Sequence, residues 1–299
     1  MPVINDTAEP EVTNHHLAGL GWMLLAQVCF AVMNVSARLA GGDLPWPEVA
    51  AARFLVGVLL AVGLARMRGV SLRITDRRAS WGRAIFGTLS ALCTFYALTS
   101  PRIHLADAVT LGATAPIFVA LLAPAVLGEP RSRAVGLAVV IAFTGVALVL
   151  QPRFQSAAGV AAIATLGALL YAFAMMLLRR LGAGESGEAV VLHFSLVALV
   201  TTVALSIPVW RTPSPRAALF LLGTGMAGGG AQLAMTRAYS LDSAARVSAL
   251  TYLGILFTVL LAIPVFGERP SLAQALGALA IIAAGLLLAR SAQAAAHAD

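Results

Sequence analysis

Residues 189–209 read AVVLHFSLVALVTTVALSIPV and contain no Asp, Glu, Lys or Arg. At 1.5 Å of rise per residue, a helix of this length crosses the roughly 30 Å hydrocarbon core of a bilayer. Apolar segments of similar length recur along the whole chain. We therefore predict an all-α membrane protein with ten transmembrane helices, at 17–39, 48–66, 81–100, 104–127, 132–150, 157–179, 189–209, 216–237, 243–266 and 271–290.

The composition of the chain agrees with this assignment. Of its 299 residues, 60% are hydrophobic and 11% are charged, whereas a soluble domain carries about 25% charged residues. An ordinary soluble protein, a disordered chain and a nucleic-acid-binding domain are therefore excluded. All 20 Lys and Arg residues are arginine, so the chain lacks the lysine of a P-loop ATPase or of a Schiff-base enzyme.

The arginines indicate the orientation of the chain. Ten spans put both termini on one side, which holds thirteen arginines against six on the other. The positive-inside rule then predicts cytoplasmic termini. Cys29 and Cys93 both lie within apolar segments, so we expect no disulfide.

The two halves of the chain resemble each other. Similar residues recur at offsets of 139 to 141 positions, and the clearest pairs are Phe30/Tyr171, Arg38/Arg179, Glu48/Glu188, Arg53/His193, Phe54/Phe194, Gly87/Gly228 and Glu129/Glu268. Five spans per half is an odd number, so the second half must enter the membrane with the opposite orientation. We predict two inverted five-helix repeats, a common transporter plan, over residues 17–151 and 152–291, with cytoplasmic tails at 1–16 and 292–299.

Several short motifs point to a family. They are Arg53-Phe54, Tyr96-Ala97-Leu98, Pro116, Gly128-Glu129-Pro130, and Gly267-Glu268 before Pro270. With these motifs the chain resembles the EamA-type branch of the drug/metabolite transporter superfamily over residues 17–290. Within it, the chain is most similar to bacterial exporters of aromatic and other neutral amino acids. The resemblance implies ten helices, a place in the bacterial inner membrane, and export of small metabolites.

A cavity near the membrane midplane should be lined by uncharged polar and aromatic side chains among small residues. Such side chains recur at helical spacing in several spans. The candidate substrate-binding residues are Gln27, Phe30, Asn34, Thr88, Tyr96, Thr110, Tyr171, Met175, Gln232, Ser248 and Tyr252. The alternative is that these stripes serve helix–helix packing, where small residues let helices approach closely.

Candidate gating or hinge residues are Arg53, Pro116, Gly228 and Gly229. Arg53 could contact a substrate carboxylate, but we favour snorkelling to the interface or pairing with Glu48. Its counterpart His193 is expected to be an ordinary packed or interfacial histidine. Because only Arg53 could neutralise an anion within a span, a multivalent anion is not expected as substrate.

The carboxylates all fall near span ends. With no Asp or Glu in the middle third of a span, we predict a facilitator driven by the gradient of its substrate rather than a proton-coupled exchanger. Glu129 before Pro130 and Glu268 before Pro270 resemble helix starts. His104 and Asp107 share one helix face and should form a hydrogen-bonded outer end.

The predicted function is a secondary transporter of aromatic and other neutral amino acids or related small metabolites, working by alternating access. The alternative is an exporter of nucleosides, sugars or lipophilic drugs with the same fold. An intramembrane enzyme and a channel are not expected. We expect no cofactor, metal or nucleic acid; the partners are a small-molecule substrate and the bilayer, and a monomer is sufficient.

Overall fold

The computed structural model describes residues 9–126, 133–150, 154–181, 184–241 and 250–296, and these residues form helices and short connections without strands. In chain order the helices are α1 (Glu9–Ala40), α2 (Trp46–Arg68), α3 (Arg77–Thr99), α4 (Leu105–Gly112), α5 (Ala115–Val126), α6 (Arg133–Leu150), α7 (Phe154–Leu181), α8 (Gly187–Ser206), α9 (Pro215–Leu241), α10 (Leu253–Phe266) and α11 (Leu272–Ala296). Short 3-10 turns at Ile207–Val209 and Leu250–Tyr252 follow α8 and precede α10.

The all-helical membrane fold is as predicted. Five helices are long and apolar enough to cross a bilayer, within α1, α2, α7, α8 and α9, and four of the other predicted spans correspond to shorter apolar helices. The remaining predicted span, 81–100, corresponds to α3, which is 23 residues long. Large apolar side chains such as Leu59, Val140 and Val200 remain exposed on the outside of the bundle. In a membrane, these side chains face lipid.

Local sequence signals set several helix ends. Asp76 precedes α3 and its side chain accepts from the Ala79 N–H at 3.0 Å, and Ser186 does the same for α8 through the Ala189 N–H. These are N-cap bonds that satisfy free amide groups of the first turn. Gly69 and Gly267 end α2 and α10 with φ of 63° and 65°, a left-handed conformation that glycine adopts without strain.

Helix α1 begins earlier than predicted. It starts at Glu9, whereas the sequence predicted a tail over residues 1–16 and a first span from residue 17. The sequence Glu9-Pro10-Glu11 is itself typical of a helix start, with a proline and acidic residues in the first turn.

The fourth predicted span is broken into α4 and α5. The helix stops at Gly112 and resumes at Ala115, with turns at Ala113 and Thr114 between them. Pro116 follows the break, and its nitrogen has no hydrogen to donate to a carbonyl one turn earlier. The break thus lies just before Pro116, and the use of Pro116 as a hinge stays a prediction.

The helix pairs form a symmetric pattern. Helix α1 packs against α9 and α3 against α7, while α2 packs on α8 and α6 on α11. The predicted repeat matches α1 with α7, α2 with α8, α3 with α9, and α6 with α11. If each helix is replaced by its match, the α1–α9 pair becomes the α7–α3 pair. The α2–α8 and α6–α11 pairs become themselves. Helix α2 also contacts α9, as its counterpart α8 contacts α3.

The aromatic centre of the bundle lies where α2 meets α8. The rings of Phe54 and Phe194 pack edge to face with centroids 5.4 Å apart, and Phe95 of α3 adds a second edge contact to Phe54 at 6.1 Å. Phe54 and Phe194 are also a matched pair of the predicted repeat.

Candidate functional site

Two arginines are buried within the bundle. Arg53 of α2 is 4% exposed and Arg83 of α3 is 3% exposed. Arg53 lies near the start of α2 and Arg83 near the start of α3. Because the short connection 69–76 makes these two helices antiparallel, the two residues approach the interior from opposite ends of the bundle.

Both guanidinium groups lie over the same aromatic ring. The Cζ of Arg83 is 4.6 Å from the centroid of the Phe194 ring, and the Cζ of Arg53 is 5.8 Å from it. Arg53 also lies 4.5 Å over the ring of Phe54. The separation of the two guanidinium groups is therefore no greater than the sum of their two distances to the centroid of Phe194.

Glycines provide the room for the two side chains. A Cβ atom at Gly87 would collide with Nη1 of Arg83, and one at Gly228 would lie 3.1 Å from Cγ of Arg53. A Cβ atom at Gly57 would lie 3.4 Å from Nη1 of Arg53. Arg83 thus lies along Gly87, one turn further on the same helix, and Arg53 lies along Gly57 of its own helix and Gly228 of α9. The space at these glycines allows both guanidinium groups to point into the bundle.

The hydrogen bonding of the two arginines is incomplete. Nη2 of Arg53 donates to Oε1 of Gln232 at 3.4 Å. Nη1 of Arg53 and both Nε and Nη1 of Arg83 are buried without a partner among the described residues. No Asp or Glu in that part of the chain forms a salt bridge with either one. These buried cations therefore lack a counter-charge within the described protein.

The pairing that we favoured for Arg53 is not formed. The carboxylate of Glu48 accepts instead from the backbone N–H of Arg211 at 2.7 Å, and Arg53 is too deeply buried to snorkel. The expectation that Arg53 alone could neutralise an anion was also wrong, since Arg83 lies at the same ring. His193 behaves as expected, with its Nδ1 3.2 Å from the Ala189 carbonyl of its own helix.

Two predicted lining residues join this group. Gln232 is the hydrogen-bond partner of Arg53, and Tyr171 interacts electrostatically with Arg83 while its hydroxyl lies 4.0 Å from Sδ of Met235. Thr88 follows Gly87 on α3, and its buried hydroxyl has no partner among the described residues. We call Arg53, Arg83, Phe194, Gln232 and Tyr171 the arginine cluster.

Sequence reasoning missed Arg83 and Phe194 as site residues. Arg83 falls inside the predicted span 81–100, but it was counted among the arginines of the cytoplasmic side. The available signal was Gly87, one turn further on, because it matches Gly228 of the second half. The structure places these two glycines against the two buried arginines.

Gln27 and Asn34 lie at a different contact, between α1 and α10. The Asn34 amide donates to Oγ1 of Thr258 at 3.3 Å. Oε1 of Gln27 lies against Gly254, and its amide nitrogen is 3.1 Å from Sδ of Met23. Both amides thus lie at the contact between α1 of the first half and α10 of the second.

The remaining predicted lining residues are dispersed. Tyr252 packs directly on Gly285 of α11, and Tyr96 stands edge-on to Trp46 at 6.2 Å. The hydroxyl of Thr110 donates to the Ala106 carbonyl of its own helix at 2.7 Å. Phe30 packs in the core between α1 and α9, Met175 is half-buried on α7, and Ser248 lies outside the described residues.

The glycines of α9 bring this helix close to α1 and α2. A Cβ atom at Gly229 would lie 2.6 Å from Cδ1 of Leu60, and one at Gly228 would lie 2.7 Å from Sδ of Met33. This arrangement is close helix packing, as in the alternative that we gave for the glycine stripe. A gating role for Gly228 and Gly229 stays a prediction.

Glu268 forms a second polar cluster, at the start of α4. Its carboxylate accepts from the N–H groups of Leu105 at 2.9 Å and Ala106 at 3.4 Å. Arg38 lies 3.8 Å and His104 3.7 Å from the same carboxylate. The cluster therefore ties α1, α4 and the connection between α10 and α11 together.

The expectation that Glu268 starts its own helix was wrong. Helix α11 begins at Leu272, where Ser271 and Gln274 bond each other's backbone N–H groups at 3.2 and 2.8 Å, a capping box. Glu268 caps α4 instead. Asp107 accepts from Gln274 at 2.8 Å, as expected for a hydrogen-bonded end, and Glu129 lies outside the described residues.

Comparison with known proteins identifies the family. The sequence model of the EamA-like transporter family matches the chain twice, over residues 17–151 and 159–290. The chain belongs to the EamA-like transporter family. It is therefore a multi-pass membrane transporter of the secondary type and not an enzyme.

Its relatives carry different solutes. The chain is 30% identical to the pseudopaline exporter CntI of Pseudomonas aeruginosa over 276 residues, covering 92% of this chain and 96% of the relative. It is 24% identical to a riboflavin transporter of Vibrio cholerae and to an S-adenosylmethionine uptake transporter of Rickettsia felis, each over 91% of this chain and 92% of the relative. The family establishes transport of a small molecule without defining which one.

A solved crystal structure supports the fold. It superposes with a TM-score of 0.65 at 20% sequence identity and covers 93% of this chain and 98% of that chain. At this identity the likeness concerns the fold alone. Among the described residues, no group of three or more His, Cys, Asp or Glu side chains is arranged to hold a metal ion.

Proposed function

We propose that this EamA-family protein is a secondary transporter that exports amino acids or related small metabolites bearing a carboxylate. The observation that supports this substrate class is the arginine cluster, where buried guanidinium nitrogens have no acidic partner among the described residues. Arginine presents several donors in a planar fork that matches a carboxylate. The aromatic ring of Phe194 adds an apolar surface for the rest of the substrate.

The mechanism that we propose is alternating access between two inverted five-helix repeats, residues 17–151 and 152–291. Three observations support it: the residue matches at a near-constant offset, the helix contacts that are preserved when halves are exchanged, and the two matches to one family model. Two related halves of opposite orientation can open a shared site to either side in turn.

We further propose that transport is driven by the gradient of the substrate. Glu48 and Glu268 are the buried carboxylates of the described chain, and both lie near helix ends, where they bond backbone N–H groups. Neither is placed at the arginine cluster to exchange a proton with a substrate there. The arginine distribution supports cytoplasmic termini in a bacterial inner membrane.

An exporter of nucleosides, sugars or lipophilic drugs is the alternative. Phe194 and Tyr171 could stack on a flat ring system. Relatives that transport riboflavin and S-adenosylmethionine are a further reason to test larger solutes that contain rings. A solute without an anionic group would leave the two buried arginines uncompensated, so we rank it second.

Efflux from liposomes containing the purified protein tests this proposal. Each preparation is preloaded with one labelled amino acid, nucleoside or sugar and is measured with and without a pH gradient. We expect efflux of carboxylate-bearing solutes without a gradient. Efflux that requires the gradient contradicts the facilitator mechanism, and efflux of nucleosides or sugars alone contradicts the substrate class.

A further inference from the structure

We propose that Arg53 and Arg83 together bind a solute with two anionic groups, a dicarboxylate whose apolar middle part lies against the ring of Phe194. This inference rests on the proposed transport function and narrows its substrate class from one carboxylate to two. It replaces the expectation, drawn from the sequence, that a neutral amino acid is the preferred solute.

The first argument is the number of buried charges. An isolated cation buried away from water is strongly unfavourable, and in proteins it is normally paired or coordinated. Here two cations lie at one aromatic ring, and neither forms a salt bridge with an acidic residue in the described chain. A single carboxylate would neutralise half of this charge, whereas a dianion neutralises all of it.

The second argument is the direction of the two side chains. Arg53 and Arg83 start near opposite ends of neighbouring helices and both end over Phe194. Three of their nitrogen atoms are buried without a partner among the described residues. Charge-assisted bonds from arginine to carboxylate are short, strong and directional, so two separated carboxylates could each be held by one guanidinium.

The third argument is the apolar ring that the two charges share. The Phe194 ring is apolar, and the neighbouring Ser195 hydroxyl is buried without a partner in the same part of the structure. Interactions of both guanidinium groups with the ring stabilise the charges in part. A solute with carboxylates at its ends and carbon between them matches this combination of two cationic groups and one apolar ring.

Ligand-dependent thermal stabilisation of the purified full-length protein tests the inference. The probes are matched pairs of acid and amide: succinate and succinamide, L-glutamate and L-glutamine, phthalate and phthalamide. A ligand that binds the folded state raises the melting temperature according to its concentration relative to Kd. We expect stabilisation by at least one diacid and none by its amide partner.

Variants assign the effect to the cluster. Arg53→Gln and Arg83→Gln should each weaken diacid binding at least tenfold. The matched control is Arg216→Gln, because Arg216 also lies over a ring, that of Phe220 at 5.7 Å, but it is exposed; this variant should bind like the wild type. Equal responses to acids and amides, no response to any diacid, or unchanged binding in both cluster variants would overturn the inference.

The melting temperature without ligand separates binding from a structural role. If the two charges await a ligand, replacing one of them removes an uncompensated buried charge. Arg83→Gln should then be at least as stable as the wild type while losing the diacid response. A large loss of stability together with an unchanged diacid response would show that Arg83 serves the fold.

Liposome efflux distinguishes failure of this inference from failure of the proposed function. If Arg83→Gln does not change the efflux of amino acids, the result supports the transport function and contradicts the dicarboxylate site. Diacid binding without any diacid efflux supports the site and contradicts the proposed transport of its ligand.

Discussion

Neutralising Glu268 should destabilise the protein more than it slows transport. The carboxylate caps α4 through the Leu105 and Ala106 N–H groups and lies 3.8 Å from Arg38. The side chains of Glu268 and Arg38 are 9% and 13% exposed, so the ion pair is largely removed from water. Glu268→Gln keeps the shape of the side chain and removes its charge.

The expected loss can be estimated from these contacts. A helix N-cap contributes about 1 kcal/mol, and breaking a buried ion pair costs about 3–5 kcal/mol. Glutamine retains one acceptor for the cap, and Arg38 keeps its bonds to the carbonyls of Leu98, Ser100 and Ile103. We therefore expect a loss of about 2–3 kcal/mol, which lowers the melting temperature by about 5–10 °C.

Thermal unfolding followed by intrinsic fluorescence, paired with liposome efflux well below the melting temperature, measures both effects. The control is Glu188→Gln, since Glu188 also pairs with an arginine, Arg68 at 3.0 Å, but that arginine is 52% exposed. An exposed pair contributes at most about 1 kcal/mol. Wild-type melting of Glu268→Gln together with lost efflux would refute the structural role.

Three further outcomes are expected. Gln232→Leu removes the hydrogen-bond partner of Arg53 and should reduce efflux at least tenfold with normal membrane insertion; wild-type efflux would exclude Gln232 from the substrate path. Gly285→Ala forces a Cβ into the ring of Tyr252 and should cost about 1–3 kcal/mol by overpacking, seen as a lower melting temperature. Its control, Gly159→Ala, meets no neighbour and should be neutral or stabilising. Glu129→Gln, at the repeat counterpart of Glu268, should likewise lower the melting temperature more than efflux, and selective loss of efflux would contradict that reasoning.

The spans could be predicted from the sequence because their signal is local. The predicted span 189–209 corresponds to Gly187–Ser206 and the 3-10 turn that follows it. Length and hydropathy define such a helix, and Ser186 and Pro208 mark its ends. The break after Gly112 was not predicted, because the sequence indicated one span over 104–127 with Pro116 as a candidate hinge. A proline removes a backbone donor but does not always break a helix, since Pro264 lies within α10.

The site could be predicted only in part because it depends on contacts between distant helices. Gln232 was predicted as a lining residue because it is polar and lies within a span, and in the structure it accepts a hydrogen bond from Arg53. The direction of Arg83 was not predictable in the same way. An arginine near a helix end can turn outward to the interface or inward. Here the Arg83 side chain turns inward, because Gly87 of the same helix leaves room for it beside Phe194 of α8.

Glu268 illustrates the same limit. Its position before Pro270 favoured a helix start in the local sequence, yet it caps α4, which is more than 150 residues away in the chain. A carboxylate stabilises whichever free N–H groups the fold brings to it. The chemistry was therefore predictable, and the identity of the helix was not.

Counterflow in liposomes tests the central claim most directly. Liposomes containing the wild-type protein are loaded with an excess of one unlabelled carboxylate-bearing solute and diluted into a trace of the same labelled solute. A carrier that alternates between two sides should accumulate label transiently above its equilibrium level, and Arg53→Gln should lose this overshoot. Label that only equilibrates would indicate a channel, and no uptake of any carboxylate-bearing solute would contradict the proposed substrate class.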